Sequence, residues 1–216
     1  EESDAKISPN GLLLLDSGAH YDCGTTDITR TIPVGEPTEE ERRVYTLVLK
    51  GHLQLQAMHF PKGTTGLQLD TAARTAMWRE GYDFGHGTGH GVGHVLGVHE
   101  GPVQIRKNYR QDTVKPIQAG HVITDEPGIY VQGRFGVRIE NCLLCVPAQE
   151  TEFGRFLKFE PLTLCPYDRK LIVAEMLTCD ERRWLNAYHD RVKEVLLPLL
   201  ATEQEKAWLQ DAILAI

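Results

Sequence analysis

Glycine occupies every second position from Gly85 to Gly93, and this alternation constrains the fold more than any other feature of the chain. It opposes a helix, because each interior glycine costs a helix about 1 kcal/mol. In an extended chain, residues two or four apart lie on one face, so the glycines share one face and His86 and His90 share the other. A glycine face indicates close packing of backbone or the close approach of a ligand.

The first part of the chain predicts a β-hairpin. An apolar run, Leu12 to Leu15, is followed by Asp16-Ser17-Gly18 and by a Thr-rich stretch from Tyr21 to Pro33 that is broken at Gly24. Small turn residues between two such runs favour a hairpin, which we place at Asp16-Ser17-Gly18. Asp16 and Asp27 are eleven residues apart across it. That spacing can bring both carboxylates to one side of the two strands, which suits a shared cation.

Helical patterns flank a central region of short strands. Thr38 with Glu41 and Thr178 with Glu181 form capping boxes before two predicted helices, which end near residues 58 and 197. Further helices are predicted at about 67–80 and from Glu203. Strand-like runs lie between them, the clearest at 122–124, 137–140 and 156–159. We therefore predict an α+β fold in which an antiparallel sheet is covered by helices.

Composition excludes some classes of function. Lys and Arg number 23 against 30 Asp and Glu, and the net charge of −7 gives no reason to expect nucleic acid as a partner. No apolar run approaches the ~20 residues that a membrane-spanning helix needs. An odd number of scattered cysteines fits a reducing compartment, so cytoplasm is the predicted location. Cys142 and Cys145 have zinc-knuckle spacing without a second pair, and we predict buried thiols there.

The histidine and glycine run does not match other well-known catalytic motifs. It contains neither the G-x-G-x-x-G of dinucleotide-binding folds nor the Gly-Lys-Ser/Thr of a P-loop. No G-x-S-x-G elbow of a serine hydrolase occurs in the sequence. His99-Glu100 begins like a zincin motif but lacks its second histidine. The sequence therefore gives no support for nucleotide binding, for a serine hydrolase or for a zincin metalloprotease.

Acidic residues stand where predicted strands end or turn. Glu126 follows a strand and precedes Pro127-Gly128, and Glu140 lies within a predicted strand between Arg138 and Asn141. A buried carboxylate without a partner is costly, and a bound metal ion is one of the few arrangements that makes several of them tolerable together. Taken singly, each acid also has an ordinary explanation, such as a turn former, a solvated loop residue or an ion-pair partner.

The order of these residues resembles the pita-bread metallopeptidase family, and the local motifs narrow the resemblance to its aminopeptidase P (Xaa-Pro aminopeptidase) group. The motifs are Leu15-Asp16-Ser17-Gly18, Thr25-Thr26-Asp27-Ile28-Thr29-Arg30-Thr31, His86-Gly87-Thr88-Gly89-His90-Gly91-Val92-Gly93, Val98-His99-Glu100-Gly101-Pro102, Asp125-Glu126-Pro127-Gly128 and Arg138-Ile139-Glu140-Asn141. The tail, from Phe159-Glu160-Pro161 to Tyr188-His189, is similar to the C-terminal extension of the larger, cytosolic, dimer-forming members.

The resemblance implies five ligands for two divalent ions, usually Mn²⁺, with Zn²⁺ and Co²⁺ as substitutes. Asp27 and Glu140 would bridge the ions, Asp16 would chelate one of them, and His90 with Glu126 would complete the other. Oxygen-rich ligation agrees with a harder ion such as Mn²⁺. A hydroxide held between ions ~3.5–4 Å apart would attack the peptide bond that precedes proline.

The resemblance also gives roles to other residues. His99 would hydrogen-bond the substrate near the developing oxyanion, and His86 would seat the proline side of the cleaved bond. Glu126 is the expected proton shuttle and Arg138 the group that orients the carboxylates. The substrates would be peptides with proline at the second position.

The family pattern extends upstream of Glu1 by about a quarter of a catalytic domain, including a helical pair and an active-site histidine. We therefore expect the chain to be a fragment with its metal cage intact, whose partners are the missing N-terminal segment and, in the full-length protein, a second copy. Residues 1–165 would form the catalytic core and residues 166–216 a helical extension.

Three alternatives remain open. Prolidase shares the cage but cuts only Xaa-Pro dipeptides, and comparing a dipeptide with a tripeptide separates the two activities. A non-catalytic peptide-binding module would bind metal without hydrolysis. A histidine-rich structural metal site would keep its metal after replacement of Asp16 and Asp27.

Overall fold

The computed structural model describes residues 6–95, 97–111 and 114–216. Its first unit is the predicted hairpin, made of β1 (Gly11–Tyr21) and β2 (Gly24–Val34). The predicted turn position was wrong: β1 runs straight through Asp16-Ser17-Gly18, and the chain reverses at residues 22–23. The reason is close packing, because a Cβ on Gly18 would lie 2.8 Å from the carbonyl oxygen of Thr26. Gly18 thus serves the strand rather than a turn.

Two helices follow the hairpin, as predicted. They are α1 (Glu39–Gln56), capped by the Thr38 and Glu41 box, and α2 (Gly66–Arg79), with the short strand β3 (His59–Pro61) between them. The helices touch backbone to backbone at Gly51, where an added Cβ would lie 2.0 Å from the carbonyl oxygen of Ala73.

A six-stranded sheet forms the centre of the molecule. Its strands are β4 (Gly89–Gly91), β5 (Glu100–Ile105), β6 (Val122–Asp125), β9 (Asn141–Thr151) and β10 (Gly154–Pro161), together with β3. Their order is β3-β10-β9-β6-β4-β5, and every pair is antiparallel. A separate small hairpin consists of β7 (Gly128–Val131) and β8 (Phe135–Arg138).

The glycine face of β4 packs against neighbouring backbone, as its alternation predicts. A Cβ on Gly89 would lie 1.9 Å from the carbonyl oxygen of Thr124, and one on Gly91 would lie 2.2 Å from that of Glu100. No side chain fits at either position. The close approach of the neighbouring backbone therefore fixes the position of β4, the strand that carries His90, between β5 and β6.

The C-terminal part is helical, also as predicted. Two short 3₁₀ turns, Arg169–Leu171 and Ala174–Met176, precede α3 (Cys179–Leu196), a third such turn (Leu197–Leu199) and α4 (Glu203–Ala212). The core residues Tyr167, Leu185 and Tyr188 of this part pack against α1 residues such as Val48.

A second apolar cluster lies between α2 and the central sheet, where it buries Leu69, Ile105, Ile123 and Leu143. Cys142 and Cys145 are buried free thiols, which confirms that prediction. No helix among the described residues is long and apolar enough to cross a bilayer.

Candidate metal centre

Three of the five predicted ligands converge from distant parts of the chain. Asp27 of β2, His90 of β4 and Glu140 each offer a ligand atom, and these atoms lie within 4.8 Å of one another. Asp27 and Glu140 are buried. Glu140 was predicted inside a strand, but it lies between β8 and β9 and pairs with Thr29 through a single bridge. This break in the strands lets its side chain face the same space as Asp27.

Glu126 lies beside this group, in the turn between β6 and β7. Its Oε1 atom is 3.4 Å from Nε2 of His90, the same distance that separates Nε2 from Oδ2 of Asp27. Its backbone is fixed because the Glu126 N–H donates to the carbonyl oxygen of Thr88 at 2.7 Å. The strand end thus presents Glu126 toward His90.

The His90 ring is oriented for ligation. Its Nδ1 lies 3.0 Å from the carbonyl oxygen of Gly91, so Nδ1–H donates there. When the ring is neutral, that bond leaves the Nε2 lone pair facing two carboxylates, which are themselves acceptors. A cation between these acceptors satisfies all three groups, and a backbone partner on the other ring nitrogen is typical of histidine that ligates metal.

Hydroxyl groups hold the two glutamates. Thr29 donates to Oε2 of Glu140 at 2.6 Å, and Thr124 donates to Oε1 of Glu126 at 3.2 Å. Thr124 also accepts the backbone N–H of His90 at 3.0 Å. These hydrogen bonds therefore orient the two carboxylates, whose remaining lone pairs stay available to a cation.

The electrostatics of the metal-free chain fit a cation at this place. Burial raises the pKa of Glu126, although the charge of His90 opposes the rise. Burial also raises the pKa of Glu140, and the nearby charge of Glu126 adds to the effect. For His90, burial lowers the pKa, but hydrogen bonding to Asp27 and Gly91 raises it above the usual value. Clustered acids that resist ionisation are what a divalent ion compensates.

Asp16 lies at the edge of the centre. It sits opposite Thr29 in the hairpin, so it shares a face with Asp27, which sits opposite Gly18. The Asp16 side chain is half exposed and paired with Arg138. It is not part of the group that lies within 4.8 Å, which contains only Asp27, His90 and Glu140 of the described residues.

Arg138 links several of these groups. Besides its ion pair with Asp16, it donates to Oγ1 of Thr29 at 3.2 Å and to the hydroxyl of Tyr130 at 3.0 Å. Tyr130 in turn contacts Nε2 of His86 at 2.8 Å. Sequence reasoning missed Tyr130, because a lone tyrosine in a short strand carries no distinguishing pattern.

His86, His90, His99 and Glu126 line one cavity of about 260 Å³. The rings of His90 and His99 meet edge to face at 4.2 Å. Burial lowers the pKa of His86, so its ring is held mainly neutral near pH 7. A larger open space of about 890 Å³ lies on the hairpin side and is bordered by Asp27. Asp27 therefore borders one of these spaces, and His90 and Glu126 border the other.

The loop before β4 is fixed by Arg74, which sequence reasoning also missed. Fully buried on α2, Arg74 pairs with Asp70 at 2.6 Å and donates to the carbonyl oxygens of Phe84 and His86 at 2.8 and 3.1 Å. Asp70 also accepts the hydroxyl of Thr88 at 2.5 Å. The pair thus anchors the segment that carries His86.

Comparisons with known proteins identify the class. Residues 1–147 match the model of metallopeptidase family M24, and residues 155–216 match that of the C-terminal region of peptidase M24. The chain belongs to metallopeptidase family M24.

Within that family, its relatives include proteins named Xaa-Pro aminopeptidase P. One from Paracoccidioides brasiliensis is 48% identical over 94% of the chain, and Aminopeptidase P1 of Arabidopsis thaliana is 47% identical over 98%. The chain spans about a third of the length of these relatives, 34% and 33%.

Solved structures similar to this chain include an X-prolyl aminopeptidase and a prolidase. The X-prolyl aminopeptidase of Caenorhabditis elegans, described as a cytosolic enzyme with a di-nuclear active site, superposes with a TM-score of 0.92 and 43% identity, covering 100% of this chain and 35% of that one. Prolidase from Pyrococcus furiosus gives a TM-score of 0.60 and 36% identity over 73% of this chain and 43% of its own. The predicted α+β pita-bread fold is confirmed.

Proposed function

We propose that the chain holds two divalent metal ions, identified as Mn²⁺ by the ligand chemistry, through Asp16, Asp27, His90, Glu126 and Glu140. The observation that carries this proposal is the convergence of Asp27, His90 and Glu140 within 4.8 Å, with Glu126 3.4 Å from His90. Four carboxylates and one imidazole favour a hard ion over a thiophilic one. The di-nuclear site of the nematode relative supports a pair rather than a single ion.

The activity that fits this centre is hydrolysis of the N-terminal Xaa-Pro bond of peptides. Bound ions would polarise the scissile carbonyl and supply a hydroxide as the nucleophile at neutral pH. The names of the relatives support proline at the second position. A bond to proline differs from other peptide bonds, because the proline nitrogen carries no hydrogen that an enzyme could use as a hydrogen-bond donor.

The residues of the chain would then act as follows. Glu126, which lies 3.4 Å from His90 at the end of β6, would take a proton from the nucleophile and pass it to the leaving nitrogen. His99, beside His90, donates a hydrogen bond to the oxygen on which charge develops. His86 and Tyr130, held together at 2.8 Å, form the wall that seats proline. Arg138 keeps Asp16 and Thr29 oriented toward the centre.

We further propose that residues 1–165 form the catalytic core and residues 166–216 a helical extension, in a protein that works in the cytoplasm as a homodimer. The description of the nematode relative as cytosolic supports the location.

The proposal is tested on the purified chain and on the longer protein that contains it. Each is stripped of metal, and Mn²⁺ binding is measured by calorimetry. Hydrolysis of an Xaa-Pro-Xaa tripeptide is then compared with that of the Xaa-Pro dipeptide. We expect two ions per chain and faster cleavage of the tripeptide. Preference for the dipeptide would make the protein a prolidase, and two tightly bound ions without hydrolysis in either form would make it a binding module.

A further inference from the structure

Arg30 is a buried cation in β2 that no carboxylate of the described ranges pairs with. It is 7% exposed, and its nitrogens donate instead to neutral oxygens on two sides. A guanidinium taken out of water is tolerable only when its donors are satisfied, so the position of each acceptor matters.

One set of acceptors belongs to the two chain segments that carry the proposed metal ligands Asp27 and Glu140. Nη1 donates to the carbonyl oxygens of Thr29 at 2.9 Å and Glu140 at 2.7 Å, and Nη2 donates to Oδ1 of Asn141 at 2.8 Å. Thr29 is the residue whose hydroxyl orients the Glu140 carboxylate, and Asp27 lies two positions before it. Arg30 therefore joins the two chain segments that bring Asp27 and Glu140 together.

The other set belongs to the chain that leads into the C-terminal helices. The second N–H of Nη2 is shared between the carbonyl oxygen of Cys165 at 2.8 Å and the hydroxyl of Tyr188 at 3.2 Å, and Nε donates to the carbonyl oxygen of Pro166 at 3.2 Å. The ring of Tyr167 lies 4.8 Å from the guanidinium carbon.

Tyr188 fixes this second set. From α3, its hydroxyl donates to the carbonyl oxygen of Thr163 or Cys165, at 3.0 and 2.9 Å, and accepts the Cys165 N–H at 3.1 Å. One side chain of the C-terminal helix thus sets where the Arg30 acceptors lie. The planar guanidinium of Arg30 bonds both sets of acceptors at once, so the position of the Cys165 and Pro166 carbonyls affects the position of Glu140. A single lysine ammonium group could not link the two sets in this way.

We propose that Arg30 is a positioning residue, and that through it Tyr188 of the C-terminal segment holds β2, which carries Asp27, and the β8–β9 junction, which carries Glu140, at the separation that two metal ions require. The proposal rests on the proposed metal function. It gives the C-terminal segment a role in metal affinity beyond that of covering the core.

The expected effect on metal binding follows from the contacts. Groups that orient ligands from outside typically change metal affinity 10- to 100-fold when removed. R30K keeps the charge but cannot reach acceptors on both sides, so we expect a 10- to 100-fold weaker affinity for Mn²⁺. Y188F removes one acceptor and keeps the ring, so we expect a loss of roughly 3- to 10-fold. In the R30K background, Y188F should add little, because it acts through Arg30.

Y45F is the matched control. Tyr45 is fully buried in the same core, and its hydroxyl accepts the backbone N–H of Asp168 at 3.2 Å without a hydrogen bond to Arg30. Y45F should lower the melting temperature of the metal-free chain, by less than Y188F because its hydroxyl has fewer partners, yet leave Mn²⁺ affinity within twofold of wild type.

The experiment measures Mn²⁺ affinity by calorimetry, melting temperature, and hydrogen exchange at the Glu140 amide of the metal-free chain, which donates to the Thr29 carbonyl oxygen at 3.0 Å. Weaker Mn²⁺ binding and faster exchange in R30K and Y188F, with neither change in Y45F, support the proposal. Wild-type affinity in both variants, or an equal loss in Y45F, overturns it. If wild type binds no Mn²⁺, the proposed function fails separately.

Discussion

The hydroxyl of Thr29 donates a 2.6 Å hydrogen bond to Oε2 of Glu140, a residue 111 positions further along the chain. Both residues are buried, so this bond orients a carboxylate that has little contact with bulk solvent. It joins β2, which carries Asp27, to the junction that carries Glu140. The relation explains how two acids far apart in sequence can face one small volume.

The Thr29 bond predicts a split between stability and metal affinity. T29V keeps the shape of the side chain but leaves one oxygen of Glu140 unsatisfied, which should cost about 1–3 kcal/mol of unfolding free energy. Mn²⁺ affinity should fall 10- to 100-fold. T46V is the control, because the buried Thr46 hydroxyl bonds the carbonyl oxygen of Arg42, away from the site. Equal Mn²⁺ affinity in T29V and T46V would contradict the assignment.

Removal of a central acid should affect the metal-free and metal-loaded chain in opposite directions. Burial and the charge of Glu126 disfavour ionised Glu140 in the metal-free chain, so E140Q relieves that repulsion. At pH 8 we expect metal-free E140Q to gain ~1 kcal/mol, roughly 2–4 °C in melting temperature. Added Mn²⁺ should raise the melting temperature of wild type but not of E140Q. Calorimetric melting of both chains with and without Mn²⁺ measures the two changes. A lower melting temperature of metal-free E140Q than of metal-free wild type would contradict the prediction.

The order of the site residues was readable from sequence, but their distances were not. The acids and histidines were expected where strands end or turn, but Asp16, Asp27 and His90 lie within β1, β2 and β4. The period-two glycines correctly marked β4 as a strand packed tightly against its neighbours. Tyr130, Arg74 and Arg30 were not assigned roles, because each acts through contacts that only the folded chain creates. Arg30, for example, meets Tyr188, which lies 158 positions away.

The misplaced hairpin turn has a similar cause. Asp16-Ser17-Gly18 has the composition of a turn, but Gly18 is required because the Thr26 carbonyl oxygen occupies the space of a side chain. Tertiary crowding therefore overrides local turn preference. Helix bounds were more predictable, because caps such as Thr38 and Thr178 are local signals that the structure retains.

His189 predicts loss of stability in mild acid. Burial lowers its pKa to about 4, and the charges of Arg169 and Arg30 add to this. In the unfolded chain the pKa is near 6.5, so between these values the unfolded state binds more protons. The contribution of His189 to stability is therefore full above about pH 6.5 and is lost as the pH drops toward 4, by roughly 2–3 kcal/mol.

The matched variant for this effect is H189Q. In wild type, Nε2 of His189 accepts the backbone N–H of Tyr167 at 3.2 Å, and a glutamine oxygen can accept the same bond without titrating. Urea unfolding of both metal-free chains at pH 7, 5.5 and 4.5 gives the difference. The stability of wild type should fall more steeply, and parallel pH curves would contradict the prediction.

Replacement of Arg74 should lower the unfolding free energy strongly, and removal of the charge on Asp70 should reduce that loss. R74M leaves Asp70 buried without its cation, which should cost about 3–5 kcal/mol. In a D70N background the same substitution should cost less, with a coupling of roughly 1–3 kcal/mol. Urea unfolding of the four chains measures the coupling. Strict additivity would mean that the two side chains do not act as a pair.

Anomalous diffraction from crystals of the chain soaked in Mn²⁺ tests the central claim most directly. We predict two anomalous peaks about 3.5–4 Å apart, enclosed by Asp16, Asp27, His90, Glu126 and Glu140, with both peaks missing in E140Q crystals. Absence of peaks in wild type, a single peak away from these residues, or two peaks that survive in E140Q would contradict the account.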